Sequence, residues 1–301
     1  MIKTLVWQCN VPGPTSEHIS IECSTKNVKE FASKVGADYL YTQDIYVNAK
    51  QYQFARPETY EKLRLLWDDN FLKYDYVLYV DTDVMFTEKA DNEIFKLPIK
   101  HLAMRKLEHG KNRSKRRDVS KNYNKEKASL LLEDKAAPTN KVKSIEYFYE
   151  RGIDLDQIAA FMGIGNGDEV WKIYQDLLKK KKAASISGIK EHFSVYGLSP
   201  TDTNIQWYNT GVMLWTRAGI EAARECFMPL SKHKVSRTFT LASDETYTNA
   251  MIMLNPNFIC EELPTVWHYS RKNGPPPDEI KCIHYLGNTR NWITSENAYG
   301  S

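Results

Sequence analysis

The alternation of apolar and polar stretches along the chain predicts strands and helices that follow one another in turn. An apolar run at residues 2–9 predicts a first strand, and apolar residues recur at helical spacing from residue 19 to residue 35. A second short apolar run at 37–41 follows a glycine that ends the helix. This β–α–β order favours an α/β fold, in which helices flank a parallel sheet.

A strand and the acidic residues that follow it carry the clearest signal for a site. Apolar residues at three- and four-residue spacing predict a helix over 57–71, with Trp67 on its apolar face. The next run, 76–80, is typical of a strand buried on both faces, and Asp81 and Asp83 follow it directly. Ligands bind beyond the carboxyl ends of such strands, and two carboxylates there suit Mg²⁺ or Mn²⁺. An Asx turn that closes the strand is the alternative interpretation.

Composition and cysteine usage set the broad class of the protein. The chain has 301 residues, a net charge of +3 and a hydrophobic content of 42%, which is ordinary for a globular protein. We find no apolar stretch of about 18 residues, so we expect no membrane span and no membrane partner. The five cysteines are scattered without a Cys-x-x-Cys pair, which favours free thiols in a cytoplasmic protein. These features indicate no particular oligomeric state.

The middle of the chain has a different character. Residues 111–127 hold eight lysines or arginines against two acidic residues, which is typical of a solvated linker or of a segment that contacts phosphates. Ala159 and Gly163 then stand four apart, with apolar residues after them and a run of lysines at 179–182. This spacing resembles a DNA-binding helix-turn-helix, although the turn is about one residue too long. An ordinary helical hairpin is the alternative.

Four separated stretches together resemble one family. They are Tyr60-Glu61-Lys62-Leu63, Tyr79-Val80-Asp81-Thr82-Asp83-Val84, Tyr208-Asn209-Thr210-Gly211-Val212-Met213-Leu214 and His284-Tyr285-Leu286-Gly287-Asn288-Thr289-Arg290. In this order they resemble the retaining glycosyltransferases of GT-A fold, specifically the glycogenin-like family 8. The resemblance implies a Rossmann-like, mostly parallel sheet flanked by helices. It also implies an enzyme that transfers a sugar from a nucleotide-sugar donor. In this family the donor is usually a UDP-sugar.

The resemblance also implies roles for individual residues. The metal ligands, for Mn²⁺ or Mg²⁺, would be Asp81, Asp83 and His284. The donor phosphates would be bound with the help of Lys62, Asp81, Thr82, Asp83, Gly287, Asn288 and Arg290. The catalytic residues at the sugar would be Asn209, Asp244 and Glu245. Two positions depart from the family, which has lysine where Arg290 stands and glutamine where Glu245 stands. The plain alternatives are a buried strand histidine at 284 and a helix N-cap at 244.

The interval between the motifs predicts an insertion. Asp83 and Asn209 lie 126 positions apart, much farther than in the family. We therefore expect a nucleotide-sugar-binding half at 1–105, a basic helical insertion at 106–200 and a completing half at 201–301. Because the insertion is basic, we expect it to bind DNA. The predicted acceptor of the sugar is therefore a hydroxylated (hydroxymethyl) base in DNA, as in phage-type DNA-modifying glycosyltransferases. A saccharide or glycan acceptor is one alternative, and a non-catalytic DNA-binding protein on a transferase scaffold is another.

Overall fold

The computed structural model describes residues 2–11, 18–52, 57–107, 140–150, 153–201, 206–233, 244–271, 276–286, 290 and 293. The described residues form two compact units. The first contains the residues up to 107 and those from 188 onwards, and the second contains residues 140–187. The basic stretch at 111–127 and the residues Gly287 and Asn288 lie outside the described part of the chain.

The described elements follow the predicted alternation. The strands are β1 (Thr4–Cys9), β2 (Asp38–Thr42), β3 (Tyr76–Val80), β4 (Val84–Phe86), β5 (Leu102–Lys106), β6 (Tyr208–Thr216), β7 (Cys260–Glu262), β8 (Tyr269–Ser270) and β9 (Cys282–His284). The α-helices are α1 (His18–Val35), α2 (Lys141–Glu150), α3 (Leu155–Met162), α4 (Gly167–Ser194), α5 (Arg217–Cys226) and α6 (Asp244–Leu254).

The main sheet of the first unit is mixed but mostly parallel, which confirms the expected fold class. Its strand order is β2-β1-β3-β6-β5-β7 in the described residues. The pairs β1/β2, β1/β3 and β5/β7 are parallel, whereas β6 runs antiparallel to both β3 and β5. A smaller sheet, in the order β4-β9-β8, begins just after β3. The carboxyl ends of β1, β3, β5 and β7 therefore meet the amino end of β6 at one edge.

Helices and 3₁₀ turns cover both faces of this sheet. On one face, α1 packs Phe31 against Phe86, with ring centroids 3.8 Å apart. On the other face, Trp7 and Trp215 are completely buried among residues of α5, α6 and the 57–73 segment. Every position of β6 is buried, as its continuous apolar run predicts for a strand covered on both faces.

The segment between β2 and β3 differs from its predicted helix. The helix predicted over 57–71 is instead two 3₁₀ helices, Pro57–Leu66 and Asp69–Lys73, with a break at Trp67, and a further 3₁₀ helix, Ala49–Tyr52, precedes them. The prediction that Trp67 lies on the apolar face is wrong, because 41% of its surface is exposed. Since a 3₁₀ helix has three residues per turn, Leu63 and Leu66 share a buried face in either geometry, and their spacing alone does not separate the two helix types.

The second unit is built on the predicted helical pair. Ala159 of α3 and Val170 of α4 are buried in an apolar cluster with residues of α2. Gly163 ends α3 in the left-handed conformation, with φ of +62°, where a glycine is favoured. A helix-turn-helix and an ordinary helical hairpin both use such a small residue and turn glycine, so the helix-turn-helix stays a prediction. In the part of the chain that the structure describes, no helix has the length and apolarity to cross a bilayer.

Candidate active site

Three potential metal ligands converge at the carboxyl edge of the main sheet. Asp81 follows β3 directly, and Asp83 lies in the short turn before β4. The antiparallel pairing of β4 with β9 places Val84 opposite His284, and the Tyr285 amide donates to the Asp83 carbonyl at 2.8 Å. A pairing between segments two hundred residues apart thus places the histidine beside the two carboxylates.

The geometry of these three side chains fits a divalent cation. Their ligand atoms all lie within 4.8 Å of one another. His284 Nε2 is 3.0 Å from Asp83 Oδ1 and 4.0 Å from Asp81 Oδ2. His284 Nε2 and Asp83 Oδ1 are both buried, yet neither atom has a hydrogen-bond partner. Two buried polar atoms left without partners are costly, and a cation between them would satisfy both.

The second oxygen of each carboxylate is held by another side chain. Asp81 Oδ1 accepts from Lys62 Nζ at 2.8 Å and from Tyr79 OH at 2.7 Å. Asp83 Oδ2 accepts from Arg290 Nε at 2.6 Å. Burial favours the neutral acid at Asp83, but His284 and Arg290 outweigh it and hold the pKa of Asp83 below its ordinary value. Each carboxylate is therefore fixed through one oxygen, while its other oxygen faces the two remaining potential metal ligands.

Gly211 on β6 allows the histidine to approach the sheet. A Cβ atom at this position would overlap the His284 ring and would also lie 2.9 Å from Asn209 Oδ1. The β5/β6 register shifts between Met104 and Arg105, so that Arg105 lies opposite Asn209. Bulges of this kind reorient side chains next to functional sites. The irregular amino end of β6 thus brings the histidine and Asn209 close to one glycine.

Lys62 joins the metal cluster to helix α6. Its ammonium lies 3.2 Å from Asp244 Oδ2, the same oxygen that accepts from Thr210 Oγ1 at 2.5 Å. Burial lowers the pKa of Lys62, but the carboxylates of Asp244 and Asp81 more than offset this and raise it above its ordinary value. Burial also raises the pKa of Asp244, and Lys62 opposes that shift. The lysine is therefore a buried cation between two carboxylates.

Glu245 is the second acid of α6, and two donors orient it. Trp207 Nε1 donates to Glu245 Oε1 at 2.6 Å, and Asn209 Nδ2 donates to Oε2 at 3.4 Å. Burial raises the pKa of Glu245 to about 7, against the opposing effect of the Trp207 donor. The other end of the Asn209 amide accepts the Gly211 N–H at 2.9 Å. Asn209 therefore links the acid on α6 to the glycine beneath the histidine.

The structure brings most of the sequence-predicted residues together and adds others. Thr82 lies in the turn between β3 and β4, between the two aspartates. The predicted phosphate-binding residues Gly287 and Asn288 lie outside the described residues. The sequence reasoning missed the donor Trp207 and also missed His268, whose Nε2 lies 2.9 Å from His284 Nδ1. Their only sequence signal is that each falls in a stretch with the character of a strand, 203–215 for Trp207 and 266–269 for His268.

Comparisons with known proteins give a likeness of fold. No protein-family model and no curated protein matches the chain. Several of the solved structures that match are glycosyltransferases, among them one involved in glycosylation of the major capsid of PBCV-1. That match has 10% identity, covers 98% of this chain and 100% of the other, and has a TM-score of 0.48.

Two further matches are weaker. The galactosyltransferase LgtC, in complex with donor and acceptor sugar analogs, is 11% identical over 98% of this chain and 92% of its own, with a TM-score of 0.42. Mouse xyloside xylosyltransferase 1 is 10% identical over 96% of this chain and 98% of its own, with a TM-score of 0.37. With identities and TM-scores this low, these likenesses carry no argument about activity.

Proposed function

We propose that this protein is a glycosyltransferase of the GT-A type that uses a nucleotide-diphosphate sugar and a divalent cation, Mn²⁺ or Mg²⁺. The observation that carries the proposal is the convergence of Asp81, Asp83 and His284 within 4.8 Å at the carboxyl edge of the sheet. Such an edge is where α/β sheets bind nucleotide ligands. When bound, the cation would neutralise the diphosphate and stabilise the negative charge that leaves with the nucleotide. The four stretches that resemble family 8 support the same donor chemistry.

On the donor side, the basic side chains hold the ligand set and add positive charge. Lys62 holds Asp81 through one oxygen, and Arg290 does the same for Asp83. Arg290 is also exposed enough, at 45% of its side chain, to contact a diphosphate. Its planar guanidinium suits bidentate phosphate binding better than the lysine of the family would. Thr82, Gly287 and Asn288 are proposed donor-binding residues on the resemblance alone.

On the sugar side, we assign Glu245 as the carboxylate that faces the developing positive charge at the anomeric carbon. The Trp207 and Asn209 donors fix its two oxygens, so the group is oriented before substrate binds. A carboxylate at this position stabilises an oxocarbenium-like transition state. Asp244 holds Lys62 and Thr210 in place and gives α6 a fixed start. Retention of the anomeric configuration is proposed from the resemblance to family 8.

The donor proposal is tested with a panel of nucleotide-sugars and Mn²⁺, with release of the nucleotide and the anomeric configuration of the product followed by NMR. We expect turnover that stops when the cation is chelated. Asp83→Asn should lose more than the ~100-fold typical of an outer-shell change, because it replaces a charged carboxylate ligand with a neutral amide. Asp91→Asn is the matched control, since Asp91 pairs with Lys281 outside the site. Turnover in Asp83→Asn equal to that of the control would refute the metal assignment.

For the acceptor, we propose a hydroxymethyl base in DNA, bound through an inserted module at 106–200. The α3–α4 pair with its left-handed Gly163 motivates this, because helix-turn-helix motifs also join two helices through a turn that often contains glycine. The lysines of α4, however, lie about three turns from its start, whereas Asp168 and Glu169 occupy its first turn. Contact with DNA would therefore be made to the phosphate backbone by Lys179 and Lys180 rather than to bases by the first turn.

The same acidic first turn favours a second candidate, a saccharide or glycan acceptor. Carboxylates repel phosphates but hydrogen-bond well to sugar hydroxyls. Binding to duplex DNA at low and at physiological salt separates the two candidates. A DNA acceptor predicts binding that weakens steeply with salt and with Lys179→Glu, but not with Lys29→Glu on α1. No binding at low salt, with transfer to free saccharides intact, would favour the glycan acceptor.

A further inference from the structure

His268 contacts the ring nitrogen of His284 that does not face the carboxylates. Its Nε2 lies 2.9 Å from His284 Nδ1, and the two ring centroids are 5.0 Å apart. Both residues are buried, with 4% and 1% of their surfaces exposed. The parallel pairing of β8 with β9 sets Ser270 opposite His284, so the backbone holds His268 close to the ring. His268 directly precedes β8, so this contact is made between two buried side chains beside the paired strands.

A hydrogen bond between two imidazole nitrogens needs one donor and one acceptor. If His284 Nδ1 carries the hydrogen, His284 Nε2 keeps a lone pair and can bind a cation. If His268 Nε2 carries the hydrogen instead, His284 Nδ1 must accept it. A neutral His284 then has its own hydrogen on Nε2, and that nitrogen cannot bind a cation. The geometry favours the first arrangement, because His284 Nε2 makes no hydrogen bond to Asp83 Oδ1 although the atoms are 3.0 Å apart.

We propose that His268 accepts the Nδ1–H of His284 and thereby holds His284 in the tautomer that binds the divalent cation. This inference rests on the proposed metal site and assigns His268 as a positioning residue, since it acts through His284. Outer-shell partners of metal-bound histidines usually are carboxylates, backbone carbonyls or water. Here a second histidine, buried behind the first, takes that place.

The experiment measures Mn²⁺ affinity of the full chain from the electron paramagnetic resonance signal of the free ion. His268→Leu removes the acceptor at similar volume, and we expect affinity to fall about 10–100-fold. His268→Gln keeps an amide oxygen that can accept, so it should recover most of the affinity. The matched control is His101→Gln, because His101 is also buried but accepts from the Ile259 amide at 3.0 Å, outside the site. Its affinity should equal that of the wild type.

The outcomes separate this inference from the proposed function. If the wild-type chain does not bind Mn²⁺, or if His284→Ala binds it normally, the metal site itself is refuted. If the metal site stands but His268→Leu binds as tightly as the control, the role of His268 is refuted. Should His268→Leu fail to fold, long-range ¹H–¹⁵N NMR of the imidazoles in the wild type decides. A hydrogen on Nδ1 of His284 supports the proposal, and one on Nε2 overturns it.

Discussion

Replacing Glu245 with glutamine should change how the stability of the protein depends on pH. Burial raises the pKa of Glu245 from 4.5 to about 7, so the folded protein holds this proton more tightly than the unfolded chain. Between these two values the folded state binds more protons, and its free energy of unfolding falls as the pH rises. A difference of about 2.5 pH units at 1.36 kcal/mol each corresponds to at most ~3 kcal/mol.

Glutamine keeps the shape of the side chain, can still accept from Trp207 Nε1 and carries no titrating group. Below about pH 4.5, where the glutamate is protonated in both the folded and the unfolded state, the Glu245→Gln variant should be nearly as stable as the wild type. Above about pH 7 it should be the more stable of the two, by up to ~3 kcal/mol. Urea unfolding of both proteins over this range measures the difference, in which the contributions of groups that do not interact with Glu245 cancel.

The matched control is Glu221→Gln, because Glu221 lies exposed on α5. This variant gives the baseline for the removal of an exposed glutamate. A stability difference for Glu245→Gln that does not change with pH would refute the reasoning that burial controls this carboxylate. If Glu245 acts as an ionised carboxylate in sugar transfer, the transfer rate should rise with pH through about 7, and this rise should disappear in the glutamine variant.

Three further substitutions test other parts of the structure. Gly211→Ala should displace the His284 ring, weaken Mn²⁺ binding and reduce stability by about 1–3 kcal/mol, measured by metal titration and urea unfolding. Lys62→Met should lower the free energy of unfolding by about 3–5 kcal/mol, because it leaves Asp244 buried without its cation. The double variant Lys62→Met/Asp244→Asn should recover most of that loss in urea unfolding. Gly163→Ala should lower the free energy of unfolding by about 1–2 kcal/mol, because a φ of +62° is unfavourable for alanine. An unchanged midpoint of urea unfolding would contradict this.

The fold could be predicted to a large extent because strands buried on both faces have continuous apolar runs. The runs at 76–80 and 208–216 belong to the two central strands β3 and β6, whose side chains are buried on either face. Trp67 was placed wrongly because apolar spacing does not distinguish a 3₁₀ from an α-helix. The division of the chain at 106–200 stays a prediction.

The candidate site could be predicted only where a sequence motif and its structural position coincide. Asp81 and Asp83 stand directly after a buried strand, so their place at the sheet edge follows from the chain itself. The contact between His284 and His268 depends on the pairing of β8 with β9, which no spacing of residues reveals. The roles of all these residues stay predictions until metal and donor binding are measured.

The contacts of the two carboxylates explain why positive side chains lie in a site proposed for a cation. Coulomb repulsion alone predicts that losing the Lys62 charge would strengthen cation binding. Lys62 also orients Asp81 by donating to its Oδ1, so its loss leaves the carboxylate held less firmly toward His284, through the Tyr79 hydroxyl. Because oriented ligands bind with less loss of conformational freedom, the positioning effect predicts weaker binding. Mn²⁺ titration of Lys62→Met thus shows which effect dominates: weaker binding means that the lysine acts mainly by orienting Asp81, and tighter binding means that its charge dominates.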